Sequence, residues 1–339
     1  MAVRILSSDL LICDVILPLA GNADLRPLIA GYNRAHPEHP IALGSKSPLT
    51  PEEFHAWEKA IAGRGEYVAG GSAANTLSAL KKLMGDSLQV DFIAAYGEDA
   101  AGRVIAESLA RDGLHLLPQT APFPDVQTAT SFVLVNEQGE RSILGYGGNS
   151  REKILAAFAA KNLPDDYDIL FLPGSLWQKY GGDFAQALVG CGRKLWLSLP
   201  THSQSGRQYN EAVRALIPQA QVVLANADEL KRMFAASDTQ TALKMLQSQL
   251  SGGQIAFITD GVRGATIVSS SAMHSVAAEA VPAAQIKNTL GAGDAAFAGF
   301  LYGLLTDAAD IDRAGRIAMQ LAAAALQVPS ARLTEIPPI

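Results

Sequence analysis

The 339-residue sequence predicts an α/β fold: a doubly wound, mostly parallel sheet sandwiched by helices, with a small β-lid beside it. Three observations lead there. Short apolar, β-rich runs alternate with amphipathic helical patterns, as a parallel sheet covered on both faces requires. One segment breaks the alternation with an antiparallel hairpin. The composition, 48% hydrophobic and 18% charged, suits a chain with a sizeable core.

In chain order, the expected strands are 10–17, 90–95, 168–173, 194–199, 221–225 and 255–259. The expected helices are 72–84, 99–111, 183–191, 227–235 and 239–250, followed by the apolar helix that continues "GAGDAAFAGFLYGLL". The opening "MAVRILSSDLLICDVILPLAG" reads as a buried first strand, because Asp9 and Asp14 interrupt the apolar run and no small-residue cleavage site follows. The breaking segment is 127–148, two β-rich runs around a turn at Asn136–Glu140. Together with 17–67, which holds the helix-like "PEEFHAWEKAIAG", it is expected to form the lid. A second hairpin is expected over 264–279. The division that follows places 1–16, 68–125 and 148–339 in the core, and 17–67 and 126–147 in the lid and insertion.

Charge and cysteine content exclude some functions. The formal charge is −6, from 27 basic and 33 acidic residues, which argues against a broad nucleic-acid-binding face. Cys13 and Cys191 lie far apart, giving neither a disulfide framework nor a cysteine-rich zinc site. The longest apolar stretches fall short of the roughly 20 residues that span a bilayer. A cytoplasmic monomer or homodimer with small-molecule partners, and neither nucleic acid nor membrane, is the expectation.

Two glycine-rich segments carry the chemistry. In "NTLGAGD" (288–294), Gly291, Ala292 and Gly293 let backbone N–H groups approach a ligand, and the following helix directs its positive end to the same place, which suits an anion such as phosphate. Asp294 in the first helical turn also has a plain explanation as a residue favoured by the helix dipole. The string "GAGDAA" fits the dinucleotide fingerprint G-x-G-x-x-A, but no strong strand precedes it and too little chain follows to build a nucleotide-binding half. No Walker A string occurs. In "GGSAAN" (70–75), Gly70 and Gly71 precede Ser72, read as an N-cap, and a helix with Leu77, Leu80 and Leu83 at helical spacing. "NADELKRMF" by itself reads as a capped helix.

The ordered set "GGSAAN" (70–75), "NADE" (226–229), "TDGVRG" (259–264) and "NTLGAGD" (288–294) resembles the ribokinase-like (PfkB) sugar and nucleoside kinase family over nearly the whole chain. The resemblance implies a central α/β sandwich with a β-lid, ATP as donor, Mg²⁺, and a hydroxyl acceptor. Asp294 matches the family's catalytic base, and Gly291, Ala292 and Gly293 its anion hole. Asn226 and Glu229 match the motif that organises Mg²⁺ through water. Thr259, Gly261 and Gly264 match the nucleotide-binding strand and turn. Asp14, Gly70, Gly71 and Asn75 match acceptor-binding positions, with Glu140 and Arg141 as further members. Asn288 stands where the family usually has an Asp that helps bind an activating monovalent cation, which puts potassium activation in doubt. "GGSAANT", the N-terminal insertion and "ERSILGY" are more similar to adenosine-kinase-like members. A nucleoside acceptor needs an apolar wall, for which Phe123, Phe132, Tyr146 and Trp177 are candidates. An NAD-binding oxidoreductase and a non-catalytic small-ligand sensor are the rival functions.

Overall fold

A computed structural model describes residues 2–38, 40–42, 45–61, 63–117, 122–137, 141–159, 167–173, 194–199, 211 and 213–339. The larger sheet has nine strands in the order β14-β13-β12-β11-β10-β9-β1-β5-β6. Its parallel part comprises β1 (Val3–Ser8), β5 (Leu88–Ile93), β6 (His115–Leu116), β9 (Ile169–Pro173), β10 (Lys194–Ser198), β11 (Ala220–Asn226) and β12 (Ile255–Thr259). The hairpin β13 (Ala265–Ser269) and β14 (Met273–Val276) adds antiparallel strands at one edge.

Helices cover both faces, because the central strands are apolar on both. On one face α3 (Ser72–Met84), α4 (Ala100–Arg111), α8 (Ala292–Thr306) and α9 (Ile311–Leu326) bury Ile5, Phe92, Phe171, Phe257 and Phe300. On the other, α5 (Arg151–Ala159), α6 (Ala227–Phe234) and α7 (Thr239–Gln247) pack on Leu6, Leu170, Leu197 and Val223. Helix α8 is apolar all round, since it lies between the sheet and α9: Phe300 stacks on Phe257 with ring centroids 4.3 Å apart. On its far side Gly299 and Gly303, one turn apart, let the backbones of α8 and α9 approach, and a Cβ at either would collide with Ala318 or Ala314.

The smaller sheet has five strands in the order β3-β8-β7-β2-β4: β2 (Ile12–Pro18), β3 (Lys46–Pro48), β4 (Glu66–Ala69), β7 (Ala129–Val135) and β8 (Arg141–Tyr146). Alternation along β2 sends Cys13, Val15 and Leu17 into the core and leaves Ile12, Asp14 and Ile16 on the opposite face. Helices α1 (Arg26–Ala35) and α2 (Pro51–Ile61) close the apolar face over Phe54, Trp57, Phe132 and Leu144. A reciprocal cap starts α2: Thr50 Oγ accepts from the Glu53 N–H, and the Glu53 carboxylate accepts from the Thr50 N–H.

Most expected elements are present, the two hairpins included. The segment 10–17 is corrected: it forms β2 of the lid sheet, and the first core strand is the preceding Val3–Ser8. Ser72 does not cap α3 either. The N-cap is Gly71, at φ +109°, and the hydroxyl of Ser72 is engaged elsewhere. The helix expected over 183–191 lies outside the described residues.

Candidate active site

Asp294 sits in the first turn of α8, behind the N-cap Gly291. Gly291 is at φ +78°, and a Cβ there would overlap the carbonyl of Ala331, so only glycine fits. The turn leaves its N–H groups without helical partners. Gly293 has open space where its Cβ would be. The carboxylate of Asp294 accepts from Ser72 Oγ at 2.5 Å and from Asn75 Nδ2 at 2.9 Å. Crowding by protein atoms pushes its pKa up to about 6, against these two hydrogen bonds and the Arg332 charge, which lower it.

Both donors come from the first turn of α3, which is held by Asp9. The buried Asp9 Oδ2 accepts from the N–H groups of Ala73 at 2.8 Å and Ala74 at 3.3 Å, supplying the cap that Gly71 has no side chain to make. Burial raises the Asp9 carboxyl to about 7, with the Asp294 charge adding to it. A Cβ on Gly71 would stand 2.8 Å from Asp9 Oδ2, and one on Gly70 would stand 3.3 Å from Asp14 Oδ2. The two glycines therefore run between two carboxylates. Asp14 lies in the middle of β2, hydrogen-bonded to Ser131 on β7, and burial raises it to about 6 against the nearby Arg141 and Lys46 charges.

Gly70 and Gly71 thus lead from Asp14 on β2 to the first turn of α3, where Asn75 meets Asp294, and Arg141 is close to Asp14. Glu140 and Trp177 lie outside the described residues. Phe132 is corrected as a wall residue: it is 1% exposed within the lid's own core, stacked on Phe54 and Trp57. Phe123 lies under the ammonium of Lys153. Tyr146 is half-buried against Phe54.

A second group gathers at the carboxyl ends of the parallel strands, where open α/β sheets hold ligands. Asn226 ends β11 directly beside Thr259 of β12. Asn226 and Glu229 form a reciprocal capping box: Asn226 Oδ1 accepts from the Glu229 N–H at 2.9 Å, and Glu229 Oε2 accepts from the Asn226 N–H at 2.7 Å. The plain capped-helix reading is therefore true of these residues, whatever else they do. Glu229 is 4% exposed, and burial pushes its carboxyl up to about 8, with the Asp294 charge contributing. Gly261 and Gly264, at φ +56° and +87°, shape the turn after Thr259, which the Asp260–Arg263 ion pair braces at 2.6 Å.

Among the described residues no group of three His, Cys, Asp or Glu side chains is placed to hold a metal directly. Glu229, a carboxyl raised by burial and by the Asp294 charge, fits a hydrated divalent cation, which takes few protein ligands. Asn288 is buried: its Oδ1 accepts from the Leu290 N–H at 2.9 Å and its Nδ2 donates to the Pro329 carbonyl at 3.1 Å. This ties the glycine turn to the segment after α9. Sequence reading missed Asp9 and Arg332; an acid amid apolar residues was the available signal for Asp9, and nothing local marked Arg332.

The fold is a lidded, mostly parallel α/β layer with an acid behind a glycine-opened helix N-terminus, and the family match below makes it a phosphotransferase fold. The chain belongs to the pfkB family of carbohydrate kinases, whose model matches residues 44–337. A ribokinase of Arabidopsis thaliana is 26% identical over 247 residues, 71% of this chain and 62% of that protein, so the match spans less than two thirds of the relative. Among solved structures, a probable sugar kinase from Rhizobium etli CFN 42 superposes with a TM-score of 0.75 at 22% identity, covering 99% of this chain and 96% of that one. The adenosine kinase of Sinorhizobium meliloti gives 0.75 at 20% identity, covering 99% and 97%. The dinucleotide reading of "GAGDAA" finds no support, because α8 leads into α9 and the βαβ unit that fingerprint requires is not built. No helix among the described residues is long and apolar enough to cross a membrane.

Proposed function

We propose that the protein transfers the γ-phosphoryl group of ATP to a hydroxyl of a sugar or nucleoside, with an adenosine-like ribose slightly preferred. The observation that carries this reading is the placement of Asp294: an acid in contact with Asn75, at the N-terminus of a helix whose free N–H groups suit phosphate oxygens. With a carboxyl raised to about 6, Asp294 is largely ionised at neutral pH yet basic enough to accept a proton. The acceptor hydroxyl gives its proton to Asp294 as its oxygen bonds to the γ-phosphorus, and the bond to the bridging oxygen breaks to release ADP. N–H groups at Gly291, Ala292 and Gly293 stabilise charge on the transferred oxygens. Asp14 and Asn75 hold acceptor hydroxyls, since a carboxylate and an amide can each engage a diol.

ATP lies along the carboxyl ends of β11 and β12, with Thr259, Gly261 and Gly264 beside the nucleoside end and Asn226 and Glu229 toward the phosphates. Mg²⁺, held through water by Glu229, would neutralise phosphate charge and orient the γ-phosphoryl group. A monovalent cation is not required in this reading, because Asn288 brings an amide where a charge would serve. The ribose preference rests on the likeness of "GGSAANT" and "ERSILGY" to adenosine-kinase-like members, and a ribokinase and an adenosine kinase are both among the relatives.

The test is ADP release with Mg·ATP and a panel of D-ribose, D-fructose, other free sugars and nucleosides. Acceptor-dependent turnover is expected, highest with a ribose-bearing compound. ATP binding without turnover on any member would instead favour a sensor, and NADH binding without ATP binding an oxidoreductase.

A further inference from the structure

The buried side chain of Arg332 has no place in the mechanism above, although it reaches Asn75 on α3 across 257 positions of sequence. Its Nε donates to Asn75 Oδ1 at 3.1 Å, and its Nη1 donates to Ser108 Oγ at 2.5 Å and to Asp112 Oδ2 at 3.0 Å. Asp112 also pairs with Lys82 at 3.0 Å, and Lys82 Nζ donates back to the Leu333 carbonyl at 2.7 Å. Arg332 and Asp112 are each 6% exposed. Burying such a pair is expensive, and an apolar substitute of equal volume often costs nothing, so the pair calls for a role beyond stability.

The role follows from the chemistry of an amide. A carboxamide offers an oxygen that accepts and an NH₂ that donates, and a 180° turn exchanges them at little steric cost. Asn75 stands between Asp294, which as a carboxylate only accepts, and Arg332, which only donates. One orientation satisfies both; the other sets oxygen against oxygen and NH₂ against guanidinium. We infer that Arg332 is a positioning residue for phosphoryl transfer: by occupying Asn75 Oδ1 it fixes the amide so that Nδ2 faces Asp294, and so holds the base and the acceptor-side amide in register. The anchor at Ser108 on α4, Asp112 at its C-cap and Lys82 on α3 keeps the guanidinium from following Asn75 if that side chain moves. Asp9 and Glu229, which also feel the Asp294 charge, are both acids, whereas Arg332 lowers the Asp294 carboxyl.

The inference rests on the proposed role of Asp294, and the experiment separates the two. Turnover is measured with Mg·ATP and the best acceptor of the panel for Arg332→Gln, Asn75→Ala, the double variant and Asp294→Asn. Arg332→Gln is expected to lower kcat about tenfold, the scale of one lost hydrogen bond to a charged group, with the KM for ATP unchanged. In the Asn75→Ala background the same change is expected to have little further effect, because its route is already gone. Arg332→Lys, which keeps a cation for Asp112 but cannot also serve Ser108 and Asn75, is expected to keep the melting temperature and still lose kcat. Multiplying effects in the double variant, or full kcat in Arg332→Lys, would overturn the inference while leaving Asp294 as base. Normal turnover in Asp294→Asn would overturn the reading beneath it.

Discussion

Asn75 Nδ2 and Asp294 Oδ2 meet at 2.9 Å across 219 positions of sequence. That contact joins the start of α3 to the start of α8, so the two glycine-rich segments lie side by side, and the roles assigned to them can be tested separately.

Asp294→Asn removes the group assigned to take the acceptor proton. The expected loss in kcat is about 10²–10⁴-fold, the usual range for a general base, with ATP affinity retained by equilibrium titration. Near-normal turnover would take Asp294 out of the role.

Asp14 should report on the acceptor alone. In Asp14→Ala the KM for the acceptor is expected to rise far more than the KM for ATP, because Asp14, beside Gly70, lies on β2 of the smaller sheet, whereas β11 and β12 belong to the larger one. Equal changes in both constants would contradict the assignment.

Gly291 and Gly293 are expected to differ although one residue separates them. Gly291→Ala drives a Cβ into the Ala331 carbonyl at a positive φ, and should lower both the melting temperature and activity. Gly293→Ala meets nothing in the protein, so the fold should keep its melting temperature, while kcat/KM for ATP falls if phosphate oxygens approach that backbone. Unaltered ATP kinetics in Gly293→Ala would count against the anion hole.

Stability of the ligand-free protein should fall as pH rises from about 5 to about 8. The folded-state carboxyls of Glu229 and Asp9 are raised to about 8 and about 7, from ordinary values of 4.5 and 3.8. Across that window the folded chain keeps protons that the unfolded chain has released, so each increase in pH favours unfolding. Carboxyls held low, such as Asp112, act below it. Glu229→Gln should flatten the upper part of the decline in thermal melts, and a melting temperature rising steadily from pH 5 to 8 would refute the account.

Asn288 is expected to make the enzyme indifferent to K⁺. At constant ionic strength, exchanging K⁺ for a bulky organic cation should change turnover little in the unmodified protein, and Asn288→Asp should introduce K⁺ dependence. Strong K⁺ activation of the unmodified protein would show that backbone carbonyls hold the ion without a charge at this position.

How far the sequence could be read depended on the range of each signal. The bounds of α3 were legible because Leu77, Leu80 and Leu83 recur at helical spacing after two glycines. The sheet to which 10–17 belongs was not, because Ile12 and Ile16 make the open face of β2 as apolar as its buried face, and a strand of that kind looks like one from a parallel core. The short Val3–Ser8, ending in two serines, gave too little pattern to stand apart from it. The capping of α3 by Asp9 and the reach of Arg332 to Asn75 join residues more than 60 and 250 positions apart, and no periodicity carries such pairings. Asp9 looked merely like an interruption of an apolar run.

The order of the first two strands has a kinetic consequence. β1 lies in the nine-stranded sheet and β2, three residues on, in the five-stranded one, so Asp14 belongs to the lid while Asp294 belongs to the core. On the proposed roles, the lid supplies Asp14 to the acceptor while the core supplies Asn75 and the base, so the acceptor is fully held only when both bodies meet it. An empty lid then leaves the base without a correctly held hydroxyl, and water arriving by diffusion meets only half of the machinery. Idle consumption of ATP would, on those roles, be discouraged by where a three-residue connection hands the chain from one sheet to the next.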